Sequence, residues 1–118
     1  MASIFDKELQ REIVDPKSPY KFGQYLYVSG GDGATQIMRP LKSWPHAVLT
    51  VHPAGDGVAP GVTKTPFGHS IKMQSRAPHT PQVATEILLF DKVKKIEFVE
   101  RVTKEETRTK EGIYFAFP

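Results

Sequence analysis

Apolar and polar residues alternate along several stretches of this chain, and the alternation has the period of a β-strand. In Val83 to Phe90, the residues Val83, Thr85, Ile87 and Leu89 share one face, while Ala84, Glu86, Leu88 and Phe90 share the other. Both faces are therefore largely covered. In Lys94 to Val102, Ile96 and Phe98 fall on one side and Glu97, Val99 and Arg101 on the other. Upstream, His69, Ile71, Met73 and Ser75 alternate with Ser70, Lys72, Gln74 and Arg76. The Asp91-Lys92-Val93 link is short enough for a hairpin, and Ala77-Pro78-His79-Thr80-Pro81 turns the chain, which predicts an antiparallel meander. Gly112 to Phe117 and Gln24 to Val28 are further strands, and Ser3, Ile4, Phe5 and Asp6 read as the end of one that runs into a turn.

Period-two patterning on consecutive antiparallel strands requires the apolar set to share a face, because a one-residue slip would invert it. The expected buried layer is Ile71, Met73, Ile87, Leu89, Ile96, Phe98 and Phe115, with Lys72, Gln74, Glu97 and Lys104 facing water. If that layer is fully packed, Phe98→Ala costs about 3 to 5 kcal/mol. The last run stops at Phe117-Pro118 and the first has nothing upstream to pair it. These features suggest a partial β-sandwich domain over residues 1–118, cut at both ends from something larger.

Composition narrows the class without choosing a function. At 118 residues the chain is one domain at most, and its ten prolines and nine glycines, many between Gly30 and Pro66, argue for long connections between strands. No convincing helix is predicted beyond a turn within Thr35 to Lys42. The formal charge of +3 could suggest nucleic acid. Between Asp91 and Glu111, however, seven basic residues are mixed with six acidic ones (Asp91, Glu97, Glu100, Glu105, Glu106 and Glu111). Such mixing is the usual solvated face of a strand or turn, whereas phosphate binding needs clustering of one sign. No nucleic-acid partner is expected.

Cysteine is absent, which excludes disulfides and thiolate chemistry, and so is asparagine, which removes every N-glycosylation acceptor. No apolar run approaches the roughly 20 residues needed to cross a bilayer. No signal peptide precedes Ile4. A membrane partner is not expected, and the compartment stays open.

Few residues carry a recognisable chemistry. The four histidines, His46, His52, His69 and His79, contain no His-Glu-x-x-His or His-x-Asp pair, so no metal site is expected in the chain. His52 and Asp56 flank Pro53-Ala54-Gly55, which could bring imidazole near carboxylate but also spells a plain turn. No serine sits in a Gly-x-Ser-x-Gly elbow. Gly30-Gly31-Asp32-Gly33 lacks the helix and the Lys-Ser or Lys-Thr that a phosphate loop requires, and reads as a loop using positive φ. No catalytic residue is assigned.

Two stretches carry a family resemblance. TEILLFDKVKKIEFVERVTKEETRTKEGIYFAFP, Thr85 to Pro118, resembles the C-terminal β-domain of glycoside hydrolase family 38, the retaining α-mannosidases, and particularly their bacterial members. Ser3 to Arg39 resembles the opening of the same domain, with its Asp-Lys ending, Glu-Leu-x-Arg-Glu turn and Tyr-x-Tyr-Val strand. Trp44 to Pro66 matches poorly. Each piece alone is also what an ordinary turn or strand looks like, and the ordered combination carries the specificity.

The resemblance implies an all-β fold, an antiparallel β-sandwich forming part of a galactose-mutarotase-like supersandwich. It implies a non-catalytic wall beside a catalytic domain that hydrolyses α-mannosides through a carboxylate nucleophile and a second acid/base carboxyl group. Zinc or another divalent metal belongs to that catalytic domain, and no cofactor is expected in this chain. The implied partners are the parent's catalytic domain and carbohydrate. Gly33 to Pro40 would stand where the family brings a loop to the sugar site, with a one-residue offset and without the family's tyrosine. Substrate-binding candidates are Tyr27, Asp32, Gln36 and Arg39; Tyr25, Tyr27 and Trp44 could stack on a sugar ring, although aromatics at strand spacing are usually core. The alternatives are a free-standing carbohydrate-binding or interaction β-domain, and a structural β-module without a ligand.

Overall fold

The computed structural model describes residues 1–30, 49–55, 57–59 and 61–118. Among these residues every regular element is a strand: β1 (Phe5–Asp6), β2 (Arg11–Glu12), β3 (Gln24–Gly30), β4 (Leu49–Pro53), β5 (Val62–Thr65), β6 (Gly68–Ala77), β7 (Thr80–Phe90), β8 (Ile96–Thr103) and β9 (Glu111–Ala116). All pairings between them are antiparallel. One sheet has the order β5-β6-β7-β8, a second β4-β3-β9, and β1 and β2 form a small hairpin. The expected all-β antiparallel sandwich is the observed architecture.

The expected meander is β6-β7-β8, and its register follows the alternation in the sequence. Ile71 lies opposite Ile87, Ile87 opposite Phe98, and Ser75, Val83 and Val102 form a parallel row on the same face. Pro78 and His79 make the β6–β7 turn, where His79 takes a φ of 50°. The β7–β8 link is longer than expected, because Phe90 N–H bonds Lys95 O at 3.3 Å and β8 begins only at Ile96. On the outward face Lys72, Glu86 and Arg101 form a row of ion pairs, which keeps that face in water.

β9 departs from the meander. It crosses to the other sheet and pairs with β3 from Gln24↔Ala116 to Ser29↔Glu111, so the run that looked unpaired has a full partner along one edge. Phe5 and Asp6 likewise pair with Glu12 and Arg11. That partner lies downstream rather than upstream.

The sheets meet where Tyr25 and Tyr27 of β3 pack on Val83 of β7 and on Ala54, with Ala77, Val102 and Phe115 around them. Phe22 adds an aromatic seam, 5.2 Å from Phe98 and 5.1 Å from Phe117 between ring centroids. The three-stranded sheet covers only one end of the larger sheet's inner face. For that reason the expected buried layer holds only in part. Ile87 is buried, Ile71, Met73, Ile96, Phe98 and Phe115 are half-buried, and Leu89 is 52 % exposed. Phe115 contributes from the opposite sheet. Lys72 and Gln74 face water as expected, whereas Glu97 and Lys104 are half-buried. With Phe98 only half-covered, Phe98→Ala is expected to cost about 2 kcal/mol in urea unfolding, below the range for a fully packed ring.

Candidate functional site

Of the expected substrate-binding residues, Asp32, Gln36 and Arg39 lie outside the described residues, as do Trp44, His46, Asp56 and the turn within Thr35 to Lys42. Tyr27 is described, and it is 2 % exposed. Strand alternation directs it into the sandwich beside Tyr25, where its ring is core and offers no face to a sugar.

Tyr27 instead ends a polar chain that sequence spacing could not reveal. The Glu111 carboxylate on β9 acts on its hydroxyl, and that interaction first, then burial, pushes its ionisation up to about 12. Lys104 Nζ lies 2.5 Å from Glu111 Oε1 and also donates to Glu105 O at 2.8 Å. Lys104 first, and the Tyr27 hydroxyl after a smaller opposing effect of burial, hold the Glu111 carboxyl below its ordinary range. Glu105 N–H in turn bonds His79 O at 2.9 Å, and the imidazole of His79 stands 4.0 Å from the Glu105 carboxylate. His52 and His79 flank the Tyr27 ring at 5.8 and 6.0 Å, and Ser29 Oγ lies 3.3 Å from His52 Nε2. The chain clasps the β8–β9 crossover to the β6–β7 turn and to β3. A buried phenol whose ionisation is held this high is a poor nucleophile near neutral pH. Tyr27 should therefore ionise near pH 12 in an alkaline absorbance titration. Tyr27→Phe should remove that step.

The second feature is an apolar trough on the uncovered end of the larger sheet. Ile4 and Phe5 face Val62, Ile71, Ile87 and Leu89 across a hollow of about 360 Å³. An adjoining hollow of about 440 Å³ runs between the β1–β2 hairpin and the β7–β8 link, past Ile13 and Val93. Val62 is 68 % exposed, and Phe5, Ile13 and Val93 are also exposed.

The hairpin that half-roofs the trough is held by carboxylates. Asp6 accepts from the N–H groups of Glu8 and Leu9, both at 3.0 Å, and its Oδ2 lies 3.0 Å from Lys94 Nζ. The Leu9 N–H first, and Lys94 next, keep Asp6 below the ordinary carboxylate range. Glu12 accepts from the Ser3 hydroxyl and from Ile4 N–H, and is lowered for those reasons in that order. Several groups on the rim are paired among themselves, Lys94 with Asp6 and Glu8, His69 with Asp91, and Lys95 with Glu97, while Lys7 also lines the hollow.

Elsewhere a polar hollow of about 650 Å³ is lined by Gln74, Ser75, Arg76, Gln82 and Thr103 among others. Among the described residues no group of three or more His, Asp or Glu side chains is placed to hold a metal ion, and no helix is long and apolar enough to cross a membrane. Comparison with family models, with curated proteins and with solved structures finds no match to this chain.

Proposed function

We propose that the chain acts as a non-catalytic β-sandwich segment of an α-mannosidase-like glycoside hydrolase, within a supersandwich of the galactose-mutarotase type. On this reading it seats its apolar trough against the parent's catalytic domain, where α-mannoside hydrolysis and its divalent metal reside. The observation that carries the reading is the trough itself. Val62 and Leu89 are exposed on a sheet face that β-sandwiches normally bury, with Phe5 of the hairpin exposed across from them, beside several rim charges that already have partners. A surface of that kind favours an apolar protein partner over solvent. The ordered resemblance of Ser3 to Arg39 and Thr85 to Pro118 supplies the family of that partner.

Two arms test the proposal. The purified chain with added zinc should not turn over an aryl α-mannoside; turnover above the buffer blank that follows the protein through purification would refute the non-catalytic role. A family-38 catalytic domain expressed without its β-region should bind the chain, and Leu89→Lys together with Val62→Lys should abolish binding. If that domain ignores the chain while immobilised α-mannan retains it, and Gln82→Ala in the polar hollow releases it, the free-standing carbohydrate-binding domain is the better reading.

A further inference from the structure

Glu100 was counted above among the solvated charges of the C-terminal third, but alternation along β8 puts it on the inner face with Phe98 and Val102. It lies opposite Thr85, which in turn lies opposite Met73. Thr85 Oγ1 donates to Glu100 Oε2 at 2.6 Å. The other carboxyl oxygen, Oε1, is buried with no hydrogen-bond partner. Gly23 lies on that side, where a methyl group placed on it would meet the Phe98 ring at 3.6 Å and Oε1 at 3.9 Å. Thr85, Gly23, Met73 and Lys21 also border a small hollow of about 80 Å³ between the sheets. The Met1 amino group, which donates to Phe22 O at 2.7 Å, is a charge that acts on Glu100, and Lys21 borders the same hollow.

We infer that Glu100 is a pH-responsive element of the seam between the sheets: neutral, it lets β8 close on the Phe22–Gly23 segment, and ionised, it loosens that seam. A charged carboxylate with one oxygen buried and unpaired is far costlier than a neutral carboxyl in the same place. Burial pushes the Glu100 carboxyl up, against smaller opposing contributions from Thr85 and the Met1 amino group. The folded chain therefore holds a proton at pH values where the unfolded chain has released it. Stability from this group is fully present below the ordinary glutamate value, about 4.3, and is lost as pH rises from there through the raised folded value. Asp6, Glu12 and Glu111 are lowered and act in the opposite sense, on the acid side of the ordinary range.

The test compares urea unfolding of the wild type and Glu100→Gln from pH about 4.5 to about 8. The histidines and other carboxylates are common to both chains, so their effects cancel in the difference. The unfolding constant of the wild type, divided by that of the variant, should rise with pH at up to about tenfold per pH unit within the window. Glu106→Gln, an exposed control, should run parallel to the wild type. Parallel curves for wild type and Glu100→Gln, or a ratio that falls with pH, would overturn the inference. Should Glu100→Gln fail to fold, carbon-13 titration of the wild-type carboxyl decides. Glu100 titrating above the exposed glutamates supports the inference, and titration among them refutes it.

Discussion

Replacing Tyr25 with alanine is expected to remove about 3 to 5 kcal/mol of folding stability, the range for truncating a fully packed aromatic. Its ring is 2 % exposed at the centre of the contact between the sheets and stands edge-on to Phe115 at 5.5 Å. Its hydroxyl lies 2.9 Å from Thr80 Oγ1, on a residue with no exposed surface. Alanine would open a cavity beneath Val83 and remove one partner of a buried hydroxyl, and the packing around it cannot collapse without separating two sheets. Tyr25→Phe keeps the ring and should cost only about 1 kcal/mol, the usual net worth of one hydrogen bond. Urea unfolding followed by fluorescence measures both. A loss under about 1 kcal/mol for the alanine variant, typical of exposed sites, would mean that β3 does not pack on β7 in this register.

Gly68→Ala is expected to be the next most damaging single change, and for a steric reason. Gly68 opens β6 opposite Phe90, and a methyl group built on it would lie 2.0 Å from the Leu89 carbonyl oxygen and 2.9 Å from the carbonyl carbon. Backbone cannot swing aside as a side chain can. The β6–β7 ladder would have to part at this end, together with the two-residue turn from Thr65 to Gly68 that holds β5. The expected cost is at the upper end of the about 1 to 3 kcal/mol that overpacking usually brings. Gly55→Ala is the matched control, since nothing lies within 4 Å of a methyl group there, and should stay within about 0.5 kcal/mol of wild type. Equal stability of the two variants would show that the chain near Gly68 is not packed as described.

The trough and the Tyr27 chain were illegible in the sequence for different reasons. Leu89 satisfies the alternation of β7 as well as Ile87 does, yet Ile87 is buried and Leu89 is 52 % exposed. Alternation reports which face a residue takes and carries nothing about how far the opposing sheet extends over that face. Tyr27 is far along the chain from Lys104 and Glu111, and only the crossover of β9 to β3 brings the carboxylate to the hydroxyl. Lys104 and Glu111 read as solvated charges because mixed charge in a connecting segment is normally solvated.

By itself, the sequence determined the local part of this protein. Period-two alternation in His69 to Ser75 and Val83 to Phe90, with Pro78 in the turn between them, was enough to specify β6, β7 and their shared register, because neighbouring strands joined by a tight turn have few other ways to pair. It missed β2, β4 and β5, which are two to five residues long and, for β4 and β5, set among the prolines and glycines of the middle region. Such short runs carry too few alternations to be told from loop. Tertiary structure alone decided that β9 leaves the meander for β3, that among the described residues no strand covers one end of the larger sheet's inner face, and that Glu100 turns inward. These depend on pairing between residues distant in the chain, where the free energy of burying one face against another sets the outcome and no local pattern records it.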